Sequence, residues 1–341
     1  MANDRVRRSR DAGQSVTMDD VAAAAGVSRS LVSLVMRGSD RPSASSRAAV
    51  LAAAERLGYR RNLAASRLAS LRTMTIGLLL DDLHNPWFAE LADGAHDTAE
   101  KAGYHLLLAT GRRSAAVESQ AVDTFLASQV DAILVAGCRL PLERLETVAG
   151  EVPVVSAGRS LTGAMLGSVS ADDAEGARLA VQHLHSLGHR RIAHVDGGKG
   201  AGAATRRAGY LSAMRAAGLG DHVQVIPGDF TEKAGERAAG RTLGHAGRPT
   251  AYFTANDLVA VGVLDAAERL GLGVPDDVSV VGYDNTALAA LGHIDLTTVA
   301  QPNAEMGRVA VEMLLGALDG RPLVHRAMRP RLVVRGTTGP V

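Results

Sequence analysis

The patterned part of the chain opens on two short amphipathic segments and a longer third. Residues 16–38, VTMDDVAAAAGVSRSLVSLVMRG, place apolar positions at helical spacing on both sides of Gly26-Val27. Thr17 with Asp20 approximates a capping box, and Gly26 supplies the left-handed residue that ends helices. Ser28 caps a second helix, which carries Val32, Val35 and Met36 on one face. A third helix is predicted after Ser43 through SSRAAVLAAAERLGY, with Val50, Leu51, Ala54 and Leu57 as its buried stripe. Ala22 and Ala25 let the first two helices cross closely. That is the geometry of a helix-turn-helix, whose second helix is offered to the DNA major groove.

From Met74 the pattern changes. Continuous apolar runs stand at 75–80, 104–110, 131–137 and 152–158, with helical stretches such as 88–103 between them. The rhythm goes on through GSVSADD (167–173), RRIAHVDGG (190–198), VQVIPGD (223–229), PTAYFTAND (249–257) and DVSVVGYD (277–284). Apolar strands alternating with helices predict parallel sheets covered on both faces. About ten such units need two doubly wound sheets, with ligands at the carboxyl ends of the strands. The fold class is therefore α/β behind an all-α head.

Composition narrows the picture. The 341 residues are 46% hydrophobic and 21% charged, as in globular proteins, and the length suggests several domains. A single cysteine, Cys138, excludes an internal disulfide and fits a reducing compartment. No apolar run reaches the roughly 18 residues that span a bilayer, which argues against a membrane role. The start, MANDRVRRSRDAGQS, is basic without a secretory apolar stretch and reads as a disordered arm. The expected location is cytoplasmic.

Charge is unevenly placed. Residues 1–72 hold thirteen arginines, no lysine and six acidic residues, a surplus of +7; the remainder holds twenty-four basic and thirty acidic residues, −6. A basic head on an acidic body points to a polyanionic partner. Arg29 and Ser30, at the start of the second helix, are placed to reach base edges, and Thr17, Ser28 and Ser33 suit phosphate oxygens. An ordinary three-helix bundle whose hydroxyls only cap is the alternative, and the charge asymmetry weighs against it. Residues 60–73, RRNLAASRLASLRT, are basic, alanine-rich and too short for a stable isolated helix, which suits a segment that folds when something orders it.

The spacing T-x-x-D-V-A-x-x-A-G-V-S-x-x-x-V-S resembles the DNA-binding head of the lactose-repressor (LacI/GalR) family of bacterial regulators. That resemblance implies a hinge helix over 61–73, with Leu68 as the leucine that wedges the minor groove and Asn62 and Arg67 beside it at the DNA. Two features depart from the family pattern. Arg61-Asn62 replaces the usual Pro-Asn, with Ser66-Arg67 before the leucine, and Leu34 stands where a polar base-reader is common. DDLHNPWFAEL (81–91), TRRAGY (205–210), TANDLVAVG (254–262), GVPDDVSVVGYDN (273–285) and LTTVAQPNAEMGRVA (296–310) match landmarks of the same family.

The implied body resembles periplasmic sugar-binding proteins, with two lobes and a cleft. The expected division is an arm over 1–15, the helix-turn-helix over 16–60, the hinge over 61–73 and the core over 74–341. Within the core, lobe one takes 74–161 and 300–328, and lobe two takes 162–299 and 329–341. The resemblance places Arg206 and Asp284 on the effector; a salt bridge to a lobe carboxylate is the alternative for Arg206. His84, Trp87 and Phe88 follow the first strand, where an aromatic could stack on a sugar ring or belong to the core. Asp257 is the expected N-cap of its helix, leaving Asn256 as the effector candidate.

Enzymatic readings find little support. The run GGKGAGAATRR (197–207) lacks both the Gly-Lys-Ser/Thr ending of a phosphate loop and dinucleotide-binding spacing. His183 and His185 diverge on a helix, and Gly188 intervenes before His189, so no metal site and no cofactor are expected. Cys138 ends a strand in apolar surroundings and reads as inert. The expected partners are double-stranded DNA with a pseudo-palindromic operator, a small effector such as a sugar, and a second copy of the chain. A dimer is expected because the tail RPRLVVRGTTGPV carries no heptads. A solute-binding protein without a DNA role, or an activator using the same residues, are the alternatives.

Overall fold

The computed structural model describes residues 16–36, 39–59, 72–161 and 166–341; Asn62, Arg67 and Leu68 lie outside them. The described residues fall into two compact units that part between Thr73 and Met74.

The first unit holds α1 (Met18–Ala25), α2 (Arg29–Met36) and α3 (Ala44–Leu57). The capping box at α1 is complete: Asp20 N–H donates to Thr17 Oγ1 at 3.3 Å, and Thr17 N–H donates to the Asp20 carboxylate at 2.9 Å. Gly26 closes α1 at φ 66°, a left-handed conformation that a side chain would strain. Val21, Ala22, Val32, Val35, Val50, Ala53 and Ala54 form the core. Leu51, expected in that core, is 49% exposed. One residue on from Val50 is about 100° around the helix, and Ala53 takes the inward place instead.

The second unit begins with β1 (Thr75–Leu80), α4 (Pro86–Lys101), β2 (His105–Thr110), α5 (Ala115–Ala127), β3 (Ala132–Ala136), α6 (Leu142–Ala149), β4 (Val154–Ala157) and β5 (Leu166–Ala171). It continues with α7 (Asp173–Ser186), β6 (Ile192–Val195), α8 (Ala203–Ala216), β7 (Gln224–Ile226), α9 (Glu232–Thr242), β8 (Ala251–Thr254), α10 (Asp257–Arg269) and β9 (Ser279–Asp284). The last elements are β10 (Thr297–Ala300), α11 (Asn303–Leu318), β11 (His325–Met328) and β12 (Arg331–Val333).

Two six-stranded sheets result, ordered β11-β5-β4-β3-β1-β2 and β12-β10-β9-β8-β6-β7. Every pairing is parallel except that of β12 with β10. The expected boundary between the lobes needs correction. Residues 166–171 were placed in lobe two, but β5 pairs with β4 from Val154↔Leu166 onward and belongs to the first sheet. The strand itself is expected at this place, but its lobe is decided by β4 and β11, neighbours that the local pattern does not reveal.

The chain crosses between lobes three times, after β5, after β10 and after β11. Two of these crossings are tied together by Asp172 N–H donating to the Met328 carbonyl at 2.9 Å. Each lobe covers its sheet with closely packed helices. A methyl at Gly94 of α4 would lie 1.9 Å from the Ala304 carbonyl oxygen in α11, and one at Gly262 of α10 would lie 1.9 Å from that of Glu232 in α9. Glycine is what lets these backbones touch.

Candidate functional site

In the head, Thr17, Ser28, Arg29 and Ser30 are exposed, while Ser33 and Leu34 are half-buried. Ser28 caps α2, its Oγ accepting from Leu31 N–H at 3.3 Å, and lies 2.9 Å from Ser30 Oγ. Arg29 faces Asp19 at 3.8 Å with both side chains about two-thirds exposed, a pairing weak enough to be exchanged for another anion. The start of α2 therefore presents a guanidinium and two hydroxyls to solvent.

The body holds a cleft where the strand ends of the two sheets face each other. Lobe one contributes Asp81, Asn85, Trp87, Phe88, Arg113 and Arg139, while Arg206, Phe230 and Asp284 come from lobe two and Gln301 from a crossing. Asn85 caps α4 by accepting from Trp87 N–H at 3.1 Å, which sets the two aromatic rings at the cleft wall. Their rings meet edge to face, with centroids 4.9 Å apart. Asp81 at the end of β1 takes Arg139 two-pronged, at 2.9 Å from Nε and 3.0 Å from Nη2.

On the opposite wall Arg206 is 4% exposed and wholly engaged. It donates to Asp173 Oδ1 from Nε (3.1 Å) and Nη2 (2.8 Å), to the Ala255 carbonyl from Nη1, and stacks 3.5 Å from the centroid of Tyr283. Asp284 ends β9 at φ 106°, a strained conformation that aims its carboxyl at the cleft mouth residue Gln301, whose Nε2 donates to it at 2.6 Å. Burial raises the Asp284 carboxyl well above the usual carboxylate range, with Arg206 pulling the other way. Arg113 reaches across to lobe two, donating to the Asp229 carbonyl and lying 3.6 Å from its carboxylate. Glu90 of α4 bridges the same gap, accepting from Asn303 Nδ2 at 2.8 Å and from Ala287 N–H at 3.2 Å.

Comparison with known proteins decides what these two parts belong to. Residues 17–62 match the model for bacterial regulatory proteins of the lacI family, and residues 181–338 match that for a periplasmic binding protein-like domain. Catabolite control protein A of Priestia megaterium is 36% identical, the alignment covering 88% of this chain and 92% of that protein. The chain belongs to the LacI family. Among solved structures it is similar to the lac repressor dimer bound to operator and the anti-inducer ONPF (TM-score 0.83, 28% identity, 96% of this chain and 100% of that one). It is also similar to a complex of the transcriptional regulator CelR with cellobiose (TM-score 0.71, 33% identity, 94% and 99%). As a LacI-family member the protein is a DNA-binding transcriptional regulator.

The structure brings Trp87, Phe88, Arg206 and Asp284 together at the cleft. Trp87 belongs to the lobe-one core, at 6% exposure, and the same ring also lines the cleft. Arg206 makes the salt bridge to a lobe carboxylate, with Asp173 at 2.8 Å, and also lines the cleft.

Two candidates stand elsewhere. His84 has a 94% exposed side chain 2.8 Å from Asp82, outside the lining, because Leu83 and His84 lie on the outward part of the turn before α4. Asn256, not Asp257, is the N-cap of α10: its Oδ1 accepts from Val259 N–H at 3.0 Å, and its Nδ2 donates to the Phe230 carbonyl at 3.3 Å. Asp257 is the first helical residue, and its carboxylate ties β9 to β10 by accepting from Thr286 and Thr298. Burial lifts that carboxyl to about 6.

Arg113, Arg139, Phe230 and Gln301 went unnoticed in the sequence. Each sits in a turn after a strand, and that shared position was the available signal. His183 on α7 and His189 beyond its end are engaged structurally. His183 Nε2 meets Thr338 Oγ1 at 2.9 Å, while buried His189 contacts Thr250, Ser279 and Gly339 at 3.0 Å. Cys138 is buried and its thiol is pushed up to about 12 by that burial. Among the described residues no helix is long and apolar enough to cross a membrane.

Proposed function

We propose that the protein represses transcription as a homodimer on a pseudo-palindromic operator, and that a neutral sugar or sugar derivative in the cleft controls that binding. Thr17, Ser28, Arg29, Ser30, Ser33 and Leu34 face the operator, with Asn62, Arg67 and Leu68 completing the contact. Trp87, Phe88, Arg206 and Asp284 hold the effector, joined by Asp81, Arg139, Phe230 and Gln301.

The observation that carries the effector class is the state of the cleft arginines. Arg139, Arg206 and Arg113 already face Asp81, Asp173 and Asp229, so among the described residues that line the cleft no cation is left for an anionic ligand. What remains is three aromatic rings with hydrogen-bonding groups between them, which suits the alternating apolar faces and hydroxyls of a sugar ring. The CelR relative binds cellobiose, and the lac repressor relative is a dimer on its operator. Ligand that prefers one lobe arrangement shifts the population toward it, and operator affinity shifts by linkage.

The test measures duplex binding by fluorescence anisotropy with and without a panel of mono- and disaccharides, and thermal shift with the same panel. A stabilising sugar should change operator affinity, and operator should change affinity for that sugar by the same factor. Sugar binding with no effect on DNA would remove the allosteric part of the reading.

A further inference from the structure

Behind the lobe-one wall of the cleft lies an acid that none of the contacts above uses. Glu118 stands on the first turn of α5 with no exposed surface. Its Oε2 accepts from Arg139 N–H at 2.8 Å, while Oε1 has no hydrogen-bond partner among the described residues. The backbone closes over it: a Cβ at Gly111 would fall 2.4 Å from Glu118 Cγ. An acid in such a place is costly unless something needs it, and a glutamine or an apolar residue would be cheaper there.

What it holds is a turn. Residues 137–140 lead out of β3, and this segment carries Arg139 to its two-pronged contact with Asp81. At its other end Gly137 packs beneath Phe88, where a Cβ would sit 2.8 Å from the ring. One acceptor therefore fixes a segment that supplies a cleft arginine and supports a cleft aromatic.

We propose that Glu118 is a positioning residue for the effector cleft: its ionised carboxylate clamps the 137–140 turn through the Arg139 N–H, and protonation slackens that clamp. The proposal rests on reading the cleft as the ligand site and extends it with a proton-sensitive wall. The proton goes to Oε1, the oxygen without a partner, and Oε2 is left as the poorer acceptor of a neutral carboxyl. Arg139 then keeps Asp81 but loses its tether to α5.

The groups facing Glu118 are few. Asp81 faces it from the end of β1, and Cys138 and Arg139 from the turn after β3. Burial pushes the Glu118 carboxyl up to about 7; the Arg139 and Leu140 N–H groups and the Arg139 guanidinium oppose this, and the Asp81 charge adds to it. Cys138, pushed up to about 12, stays protonated throughout.

The chain carries its own reporter, since its one tryptophan, Trp87, lies in the cleft edge-on to Phe88. The experiment records Trp87 emission of the full-length protein without ligand from about pH 5.5 to about pH 8.5. The wild type should show a one-proton transition with its midpoint near 7. Glu118→Gln should be flat and resemble the acid form, Glu118→Asp should move the midpoint, and Asp284→Asn should leave it in place. Glu118→Gln should also melt higher than wild type at the alkaline end and match it at the acid end, because only the wild type must then bury a charge. An unchanged transition in both Glu118 variants, or a flat wild type, overturns the proposal. No ligand enters this test, so a cleft that binds no sugar is a separate failure.

Discussion

Arg206 illustrates how one side chain serves stability and recognition together. Its guanidinium is buried against Asp173, the Ala255 carbonyl and the Tyr283 ring, and it still forms part of the cleft. Removing one partner of a buried pair strands the other charge, at a cost of about 3–5 kcal/mol. Arg206→Ala is therefore expected to lower the unfolding free energy by that amount in denaturant titration and to abolish thermal stabilisation by sugar. Arg29 is the contrasting case, exposed and loosely held. Arg29→Ala should leave the melting temperature and the sugar response unchanged. It should weaken binding to the best operator by about 1–3 kcal/mol, read by anisotropy against a scrambled duplex.

At the level of elements, the close helix pairs are the tightest constraint. A methyl at Gly94 falls on backbone, not on a movable side chain. Gly94→Ala should therefore destabilise lobe one by about 1–3 kcal/mol in equilibrium unfolding. Strand β6 holds a second constraint. His194 is fully buried, stacked between Tyr210 and Phe253 with centroids 5.2 and 4.8 Å away, and burial lowers it to about 4. A histidine depressed in the folded state contributes stability above its unfolded value of about 6.5, and that contribution is lost as pH falls toward 4. Melting temperature should drop over that interval, and His194→Phe should flatten the drop.

Elements also differ in how far they could be read from the chain. Thr17, Asp20 and Gly26 announced α1 because capping is decided within four residues. Leu51 was misread because a run of alanines leaves the face of α3 ambiguous until its partners are known. β5 was assigned to the wrong lobe because its neighbours β4 and β11 lie on either side in space but far apart in sequence. The N-cap of α10 falls one residue earlier than expected, on Asn256, which accepts from Val259 N–H, and Asp257 is taken up by Thr286 and Thr298. Arg113, Arg139 and Gln301 escaped because arginines and glutamines in turns are common, and only the closed cleft distinguishes these.

For the molecule as a whole, the basic head sets the salt response. Operator affinity should fall on a log–log plot with a slope near −0.9 per phosphate contacted, and shortening the arginine set should flatten it. Closure of the cleft has its own handle in Arg113, which meets Asp229 from the other lobe. Arg113→Ala should raise the ligand-free radius of gyration in solution scattering and weaken sugar binding, with little change in melting temperature. An unchanged profile would mean that Glu90 and the crossings hold the lobes without Arg113.

The three crossings bear on how such regulators can be recombined. Lobe one is completed by α11 and β11, and lobe two by β12, so neither is a continuous piece of chain. No single splice can exchange one lobe for a foreign counterpart: a junction anywhere between β5 and β12 would leave at least one sheet built from both parents. Residues 74–341 form the smallest unit that can be transplanted whole. A new sensing specificity must then arrive either as that entire block or by point changes along the cleft.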